Sequence, residues 1–200
     1  IAIAHNGNLT NTEQLALRLS KSKLSTSMDT EYILRLLEGN DTGNIEADVA
    51  TVFGMLLGSA TLGILLPDRL IAVRDKSGNR PLSIGKFNGG YCITSETCAL
   101  PSVGAEHFDD VSPGTIVTIS GEGLCVRRFA EANEKKCRFE GIYYSHPASV
   151  VFGEGISKFR MRVGEELERL FPVLDAHIVT PIPDSSNFIA LGFAKSGHSG

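Results

Sequence analysis

The order of patterns along the 200 residues predicts an α+β domain followed by the opening of a parallel α/β domain. Three observations carry this. Amphipathic helix patterns come first, then a series of short apolar runs separated by turn residues, and finally, past a charged stretch, a helix, an apolar run, a polar loop and a second helix. Helices followed by many short strands read as an antiparallel sheet with helices packed on one face, whereas alternating helix and strand is the rhythm of a parallel sheet.

Taken in order, Ile1-Ala2-Ile3-Ala4 reads as a strand, and His5-Asn6-Gly7-Asn8 as a turn after it. Thr10 or Asn11 is suited to cap a short helix reaching Leu19, with Leu15 and Leu19 on one face. A second helix is predicted over 29–38, with Tyr32, Ile33, Leu36 and Leu37 inward and Gly39 as its stop. A third, over 45–57, repeats Ile45, Val49, Val52, Phe53 and Leu56 at helical spacing. Strands follow over 61–66, 70–74, 82–84, 91–94 and 115–119, and Asn88-Gly89 between two of them is a hairpin signal. The stretch 130–136 is charged and poor in apolar residues, as a linker would be. Beyond it come a helix over 157–170 with Phe159, Val163, Leu167 and Leu170 in one stripe, a buried strand over 176–180, a Pro-Asp-Ser-Ser loop, and a helix from Asn187.

Composition removes several function classes. The net charge is −4 with no basic run, which argues against a nucleic-acid partner. The longest apolar run, 55–66, is broken by Gly58, Ser59 and Gly63 and falls short of the roughly 18 residues of a membrane span. Ile1 has no basic flank of the kind a secretory leader carries, and both ends read as cut from a longer chain. Cys92, Cys98, Cys125 and Cys137 contain no CxxC pair, so free thiols in a cytoplasmic protein are expected.

Several stretches together resemble one family. Ala4-His5-Asn6-Gly7-Asn8-Leu9-Thr10-Asn11 is similar to the His-Asn-Gly-Asn-Leu-x-Asn segment of amidotransferases with an N-terminal nucleophile. Ala72-Val73-Arg74-Asp75 with Gly78-Asn79-Arg80-Pro81-Leu82, and Ser95-Glu96-Thr97-Cys98-Ala99-Leu100, are similar to signatures of the same branch. Val111-x-Pro113-Gly114, Phe139-Glu140-x-Ile142-Tyr143-Tyr144-x-x-Pro147 and Pro181-Ile182-Pro183-Asp184-Ser185-Ser186 continue the series. Their order and spacing resemble the glutamine phosphoribosylpyrophosphate amidotransferases along essentially the whole chain. The resemblance implies that residues 1–136 are the C-terminal part of a four-layer (αββα) glutaminase domain of the N-terminal-nucleophile fold. Residues 137–200 would then open a parallel α/β phosphoribosyltransferase domain.

It also implies roles. Asn6 and Gly7 resemble the oxyanion hole, one offering a side-chain amide and the other a backbone N–H that no Cβ shields. The competing reading of Asn-Gly is a type I′ turn. Asp29 matches the carboxylate that holds the α-amino group of glutamine, and is also a helix-start acid favoured by the dipole. His5 is read as structural support. The nucleophile of the family, an N-terminal Cys, would precede Ile1, with an Arg that grips the glutamine carboxylate; the chain as given would not hydrolyse glutamine. Ser185 matches a position that contacts Mg²⁺ beside the substrate's phosphates, against a reading in which Asp184, Ser185 and Ser186 only cap a helix. Cys137 matches a thiolate that ligates a 4Fe-4S cluster in many members, a group that takes four such ligands; its plain alternative is an apolar Cys at a domain junction. The main phosphoribosyl pyrophosphate loop would lie beyond Gly200.

Two residues depart from the pattern: Gly141 where an aromatic is usual and His146 where Arg is common, which puts domain coupling and ammonia passage in doubt. The implied reaction moves the amide nitrogen of glutamine to phosphoribosyl pyrophosphate and gives 5-phosphoribosylamine, the first committed step of purine biosynthesis. Purine nucleotides as feedback inhibitors and a homo-oligomer are implied likewise. The rivals are a non-catalytic glutamine-binding or regulatory paralogue and a glutamine–fructose-6-phosphate type of amidotransferase.

Overall fold

The computed structural model describes residues 1–19, 24–173 and 175–197. They form two compact units, one made of Ile1–Ser95 with Glu106–Lys136 and the other of Glu96–Ala105 with Cys137–Gly200.

In the first unit, β1 (Ala2–Leu9) is followed by three helices, α1 (Thr12–Arg18), α2 (Asp29–Gly39) and α3 (Ile45–Phe53). Then come β2 (Gly58–Leu65), β3 (Arg69–Arg74), β4 (Ser83–Phe87), β5 (Gly90–Thr94), β6 (Glu106–Asp110), β7 (Thr115–Ser120) and β8 (Gly123–Arg128). Two antiparallel sheets result, a five-stranded one in the order β1-β2-β3-β7-β8 and a three-stranded one in the order β5-β4-β6. The apolar runs by themselves read as one sheet, whereas the four-layer arrangement that the resemblance implies has two. The two are separated because β3 and β7 bury both faces: Ile71, Val73 and Ile116 meet Ile33, Leu36, Val49 and Val52 of the helices, while Ala72 and Val117 meet Leu82, Ile84 and Val111. With a side-chain period of two, a strand packed on both sides reads as an unbroken apolar run, and the periodicity does not say how many layers it joins. β2 touches the small sheet closely, since a Cβ on Gly63 would lie 2.7 Å from Ile93 Cδ1.

His5–Asn8 is not a turn. The segment is extended and paired throughout with β2, in the register His5↔Leu62, Asn6↔Thr61, Gly7↔Ala60 and Asn8↔Ser59. The end of β1 is held by Asn11, whose side chain donates to Met55 O at 2.9 Å and accepts from Leu57 N at 3.0 Å instead of capping α1. α3 stops at Phe53, earlier than the predicted 57, because Gly58 already pairs with Leu9 in the sheet. Strands β6 and β8 escaped the pattern. Their side chains are mostly exposed, so they carry no apolar alternation.

The second unit holds a 3₁₀ segment (Thr97–Val103), a π-helical turn (Glu140–Tyr144), a short hairpin β9 (Val150–Val151) and β10 (Glu154–Gly155), and the helices α4 (Ile156–Leu170) and α5 (Asn187–Gly197). The two helices touch backbone to backbone. A Cβ on Gly164 would fall 1.9 Å from Ile189 O, and one on Gly192 2.0 Å from Met161 O. The buried stripe of α4 is Ile156, Arg160 and Gly164, and the predicted stripe is half open, with Leu167 39% and Leu170 52% exposed. The strand expected over 176–180 does not form: Ile178 is 81% exposed and no ladder reaches it among the described residues. Apolar content cannot make a strand without a neighbour to take its N–H and C=O groups. No helix among the described residues is long and apolar enough to cross a membrane.

Candidate functional site

The site is built on β1, an end strand of the large sheet. Its backbone directions follow from two bonds toward β2 and one away from it. Thr10 N donates to Leu57 O at 2.9 Å and Asn8 N to Ser59 Oγ at 3.2 Å, whereas Leu9 N donates to the Asp29 carboxylate at 2.7 Å. Successive N–H groups of a strand alternate between its two edges. The Gly7 N–H therefore shares the edge on which Asp29 sits. Gly is also required at this position by space, since a Cβ would lie 2.1 Å from Ser59 O and 2.7 Å from His5 Nε2.

Asp29 is fixed from its own side as well. It is the first residue of α2, and the loop before it is cinched by Glu31, whose carboxylate accepts from Ser25 N at 2.7 Å, Thr26 N at 2.6 Å and Thr26 Oγ1 at 2.7 Å. The Thr26 hydroxyl and the Ser25 backbone pull the Glu31 carboxyl down to about 2. Helix-start acid and β1 partner are thus one and the same residue, since the carboxylate at the first position of α2 also accepts the Leu9 N–H.

Asn6 lies beside these groups in sequence, and its side chain reaches toward the small sheet. Its Nδ2 donates to Ser95 Oγ, just past the end of β5, at 3.3 Å. His5 is half-buried. Burial lowers its imidazole pKa below the ordinary 6.5, opposed by a hydrogen bond to the Ser59 backbone and by the charge of Asp29. The structure therefore gathers His5, Gly7 and Asp29 along one stretch of β1 and ties Asn6 to a residue 89 positions away. Sequence reasoning quoted Ser95 within a signature stretch without giving it a role; no local pattern reveals a partner so distant in the chain.

The other candidates stand apart. Ser185 lies in the turn before α5, where Asn187 N donates to Asp184 O at 3.2 Å and Ala190 N to Ser186 O at 2.8 Å. Ser186 bonds back to Ile182 O through its hydroxyl, while the N–H groups of Asn187 and Ala190 are taken by the backbone oxygens of Asp184 and Ser186. Cys137 is half-buried with a free thiol, and its carbonyl accepts from Glu140 N at 3.2 Å. Among the described residues no three His, Cys, Asp or Glu side chains gather as a metal site.

The two departures have local explanations in the second unit. A Cβ on Gly141 would lie 2.8 Å from Phe159 Cε1, so the Phe159 ring occupies the room a larger residue would need. His146 Nδ1 accepts from Ala148 N at 3.1 Å, and its own N–H donates to Glu96 at 2.7 Å. Close by, the buried Arg160 guanidinium donates to Gly141 O and Ser145 O, both at 2.8 Å, and desolvation lowers its pKa.

Comparison with known proteins fits this geometry. Residues 1–102 match the family described as "Glutamine amidotransferase domain". The amidophosphoribosyltransferase of Bacillus subtilis is 36% identical over 199 residues, covering 98% of this chain and 42% of that protein. Its counterpart in Synechocystis is 39% identical over 206 residues, covering 98% and 41%. The solved glutamine phosphoribosylpyrophosphate amidotransferase of B. subtilis, complexed with ADP and GMP, superposes with a TM-score of 0.92 at 35% identity, over 98% of this chain and 43% of that one. The expected combination of folds is therefore the one shared with that enzyme, and the chain spans about 42% of the first of these relatives. By its domain match and by relatives aligned along nearly its whole length, the chain belongs to the glutamine amidotransferase family.

Proposed function

We propose that the protein transfers the amide nitrogen of glutamine to phosphoribosyl pyrophosphate, giving 5-phosphoribosylamine, glutamate and pyrophosphate. The observation that carries the reading is the shared edge of β1, where the Gly7 N–H direction and the Asp29 carboxylate coincide. In this reading the first unit supplies the C-terminal part of a glutaminase domain and 137–200 the opening of a phosphoribosyltransferase domain.

Asp29 Oδ2 already takes the Leu9 N–H, which leaves Oδ1 as the oxygen that the glutamine ammonium meets. Attack of a cysteine thiolate on the side-chain carbonyl forms a C–S bond and drives negative charge onto oxygen. Asn6 Nδ2–H and Gly7 N–H are the donors for that charge. As the intermediate collapses, the C–N bond breaks while the leaving nitrogen takes up the proton that the thiol gave up, so ammonia departs and a thioester remains. Water cleaves the C–S bond, giving glutamate and the free thiol, and the ammonia attacks C1 of the phosphoribosyl group and displaces pyrophosphate. The nucleophile and the main phosphoribosyl pyrophosphate loop belong, in this reading, to parts of the protein outside these residues. The Ser185 hydroxyl would be one oxygen available to a Mg²⁺ bound with the pyrophosphate, where the ion would offset the phosphate charge. Cys137 offers one of the four thiolates that a 4Fe-4S cluster takes. The relative solved with ADP and GMP supports purine nucleotides as regulators.

The test uses the protein expressed from its complete reading frame. Asn6→Ala should lower glutamine-dependent pyrophosphate release by about 10²–10³ in kcat. Asp29→Ala should act mainly by raising KM for glutamine. Unchanged glutamine dependence in both variants rejects the assignment.

A further inference from the structure

We propose that Ser95 is a positioning residue for the oxyanion: its hydroxyl holds one N–H of the Asn6 amide so that the second is aimed at the reacting carbonyl oxygen. The proposal rests on the reading of Asn6 as an oxyanion donor. A carboxamide carries two N–H bonds on one nitrogen and an acceptor on the other branch, and its last torsion is broad and nearly two-fold. An unheld Asn6 would therefore present its oxygen to the developing anion about as readily as its nitrogen, and an oxygen there repels. A serine hydroxyl can accept from Nδ2 or donate to Oδ1, so the bond holds the plane of the amide. In the structure it is Nδ2 that faces Ser95 Oγ, at 3.3 Å, and this orientation leaves the second Nδ2 N–H for the oxyanion.

The hydroxyl is itself placed by regular structure. Ser95 follows Thr94, the last residue of β5, which pairs with Ser83 at the start of β4. Ser83 is buried, and its Oγ donates to Asp110 Oδ1 of β6 at 2.6 Å, so all three strands of the small sheet converge next to Ser95. Asn6 is likewise on a strand, paired with Thr61. Donor and acceptor thus sit on elements whose relative position is set by two packed sheets, which is what a preorganised donor requires. Ala at position 95 would remove the acceptor, while Thr would keep it.

A purely mechanical role, in which the bond only clips β1 to the small sheet, makes a different prediction, and the experiment separates them. In the full-length protein Ser95→Ala should lower kcat for glutamine hydrolysis about tenfold, as loss of a supporting partner does, with KM for glutamine within about twofold. Ser95→Thr should restore kcat. In an Asn6→Ala background Ser95→Ala should cost nothing further, because the group it orients is gone. Equal losses in both backgrounds, a failure of Thr to restore, or a fall in the thermal midpoint that accounts for the lost activity would overturn the proposal. If Asn6→Ala alone leaves kcat intact, the oxyanion reading itself fails, and Ser95 with it. If Asn6→Ala is crippled and Ser95→Ala is not, only the role of Ser95 is rejected.

Discussion

The dipeptide Asn-Gly occurs twice in the first unit and does opposite things. At Asn88-Gly89 both residues have positive φ, 45° and 79°, and they form the two-residue loop between β4 and β5. At Asn6-Gly7 the same pair lies extended in the middle of β1 with a full set of β2 partners. The first case is local: two short strands need a loop whose twist matches theirs, and Asn-Gly supplies it. In the second, eight residues of ladder and the burial of Leu9 outweigh the turn preference. What Gly offers also differs. At 89 it is freedom in φ alone, with nothing within 4 Å of a would-be Cβ; at 7, where φ is 158°, it is above all room, with Ser59 O at 2.1 Å.

Alanine at the two glycines should break this comparison open. Gly7→Ala drives a methyl into a backbone oxygen that cannot step aside, and should cost roughly 3 kcal/mol and, in the full-length protein, most of the proposed glutaminase activity. Gly89→Ala meets open space and should cost about 1 kcal/mol, the price of a left-handed residue with a Cβ. Denaturant unfolding of the two variants measures both, and equal costs would show that the ladder geometry at Gly7 is not what makes it glycine.

A smaller effect tests the surroundings of Asn6-Gly7 by pH. The His5 imidazole is held below 6.5, chiefly by burial, so the unfolded chain takes up a proton that the folded chain refuses. The neutral imidazole's contribution is therefore complete above 6.5 and is lost as pH falls below it. His5→Gln should flatten that decline between about pH 7.5 and about pH 5.5 in urea midpoints, and an undiminished slope would assign the acid sensitivity to other groups.

The smallest effect is expected where a strand was predicted and none formed. Ile178 is 81% exposed, so Ile178→Thr in the 200-residue chain should shift stability by no more than about 0.5 kcal/mol. A cost above about 2 kcal/mol in the complete protein would mean that residues elsewhere supply the missing ladder.

Much of the fold was legible for identifiable reasons. α2 shows its 3.6 periodicity through Ile33, Leu36 and Leu37, and the β4–β5 hairpin announces itself by its loop. Exposed β6 and β8 left no apolar trace, and the half-open stripe of α4 sent the helix's burial to the wrong face. At the candidate site, the residue types of Asn6, Gly7 and Asp29 were readable, while the conformation around Asn6-Gly7 was not.

The sequence by itself determined which residues are candidates for the chemistry and the family they resemble, because those signals are short, ordered and local. Only the tertiary structure decided that β1 runs straight through Asn6-Gly7, that Asp29 closes on Leu9 N, and that Ser95 meets the Asn6 amide. Each depends on a partner far along the chain, and a hydrogen bond or a steric limit between distant residues exists only once packing has brought them within reach.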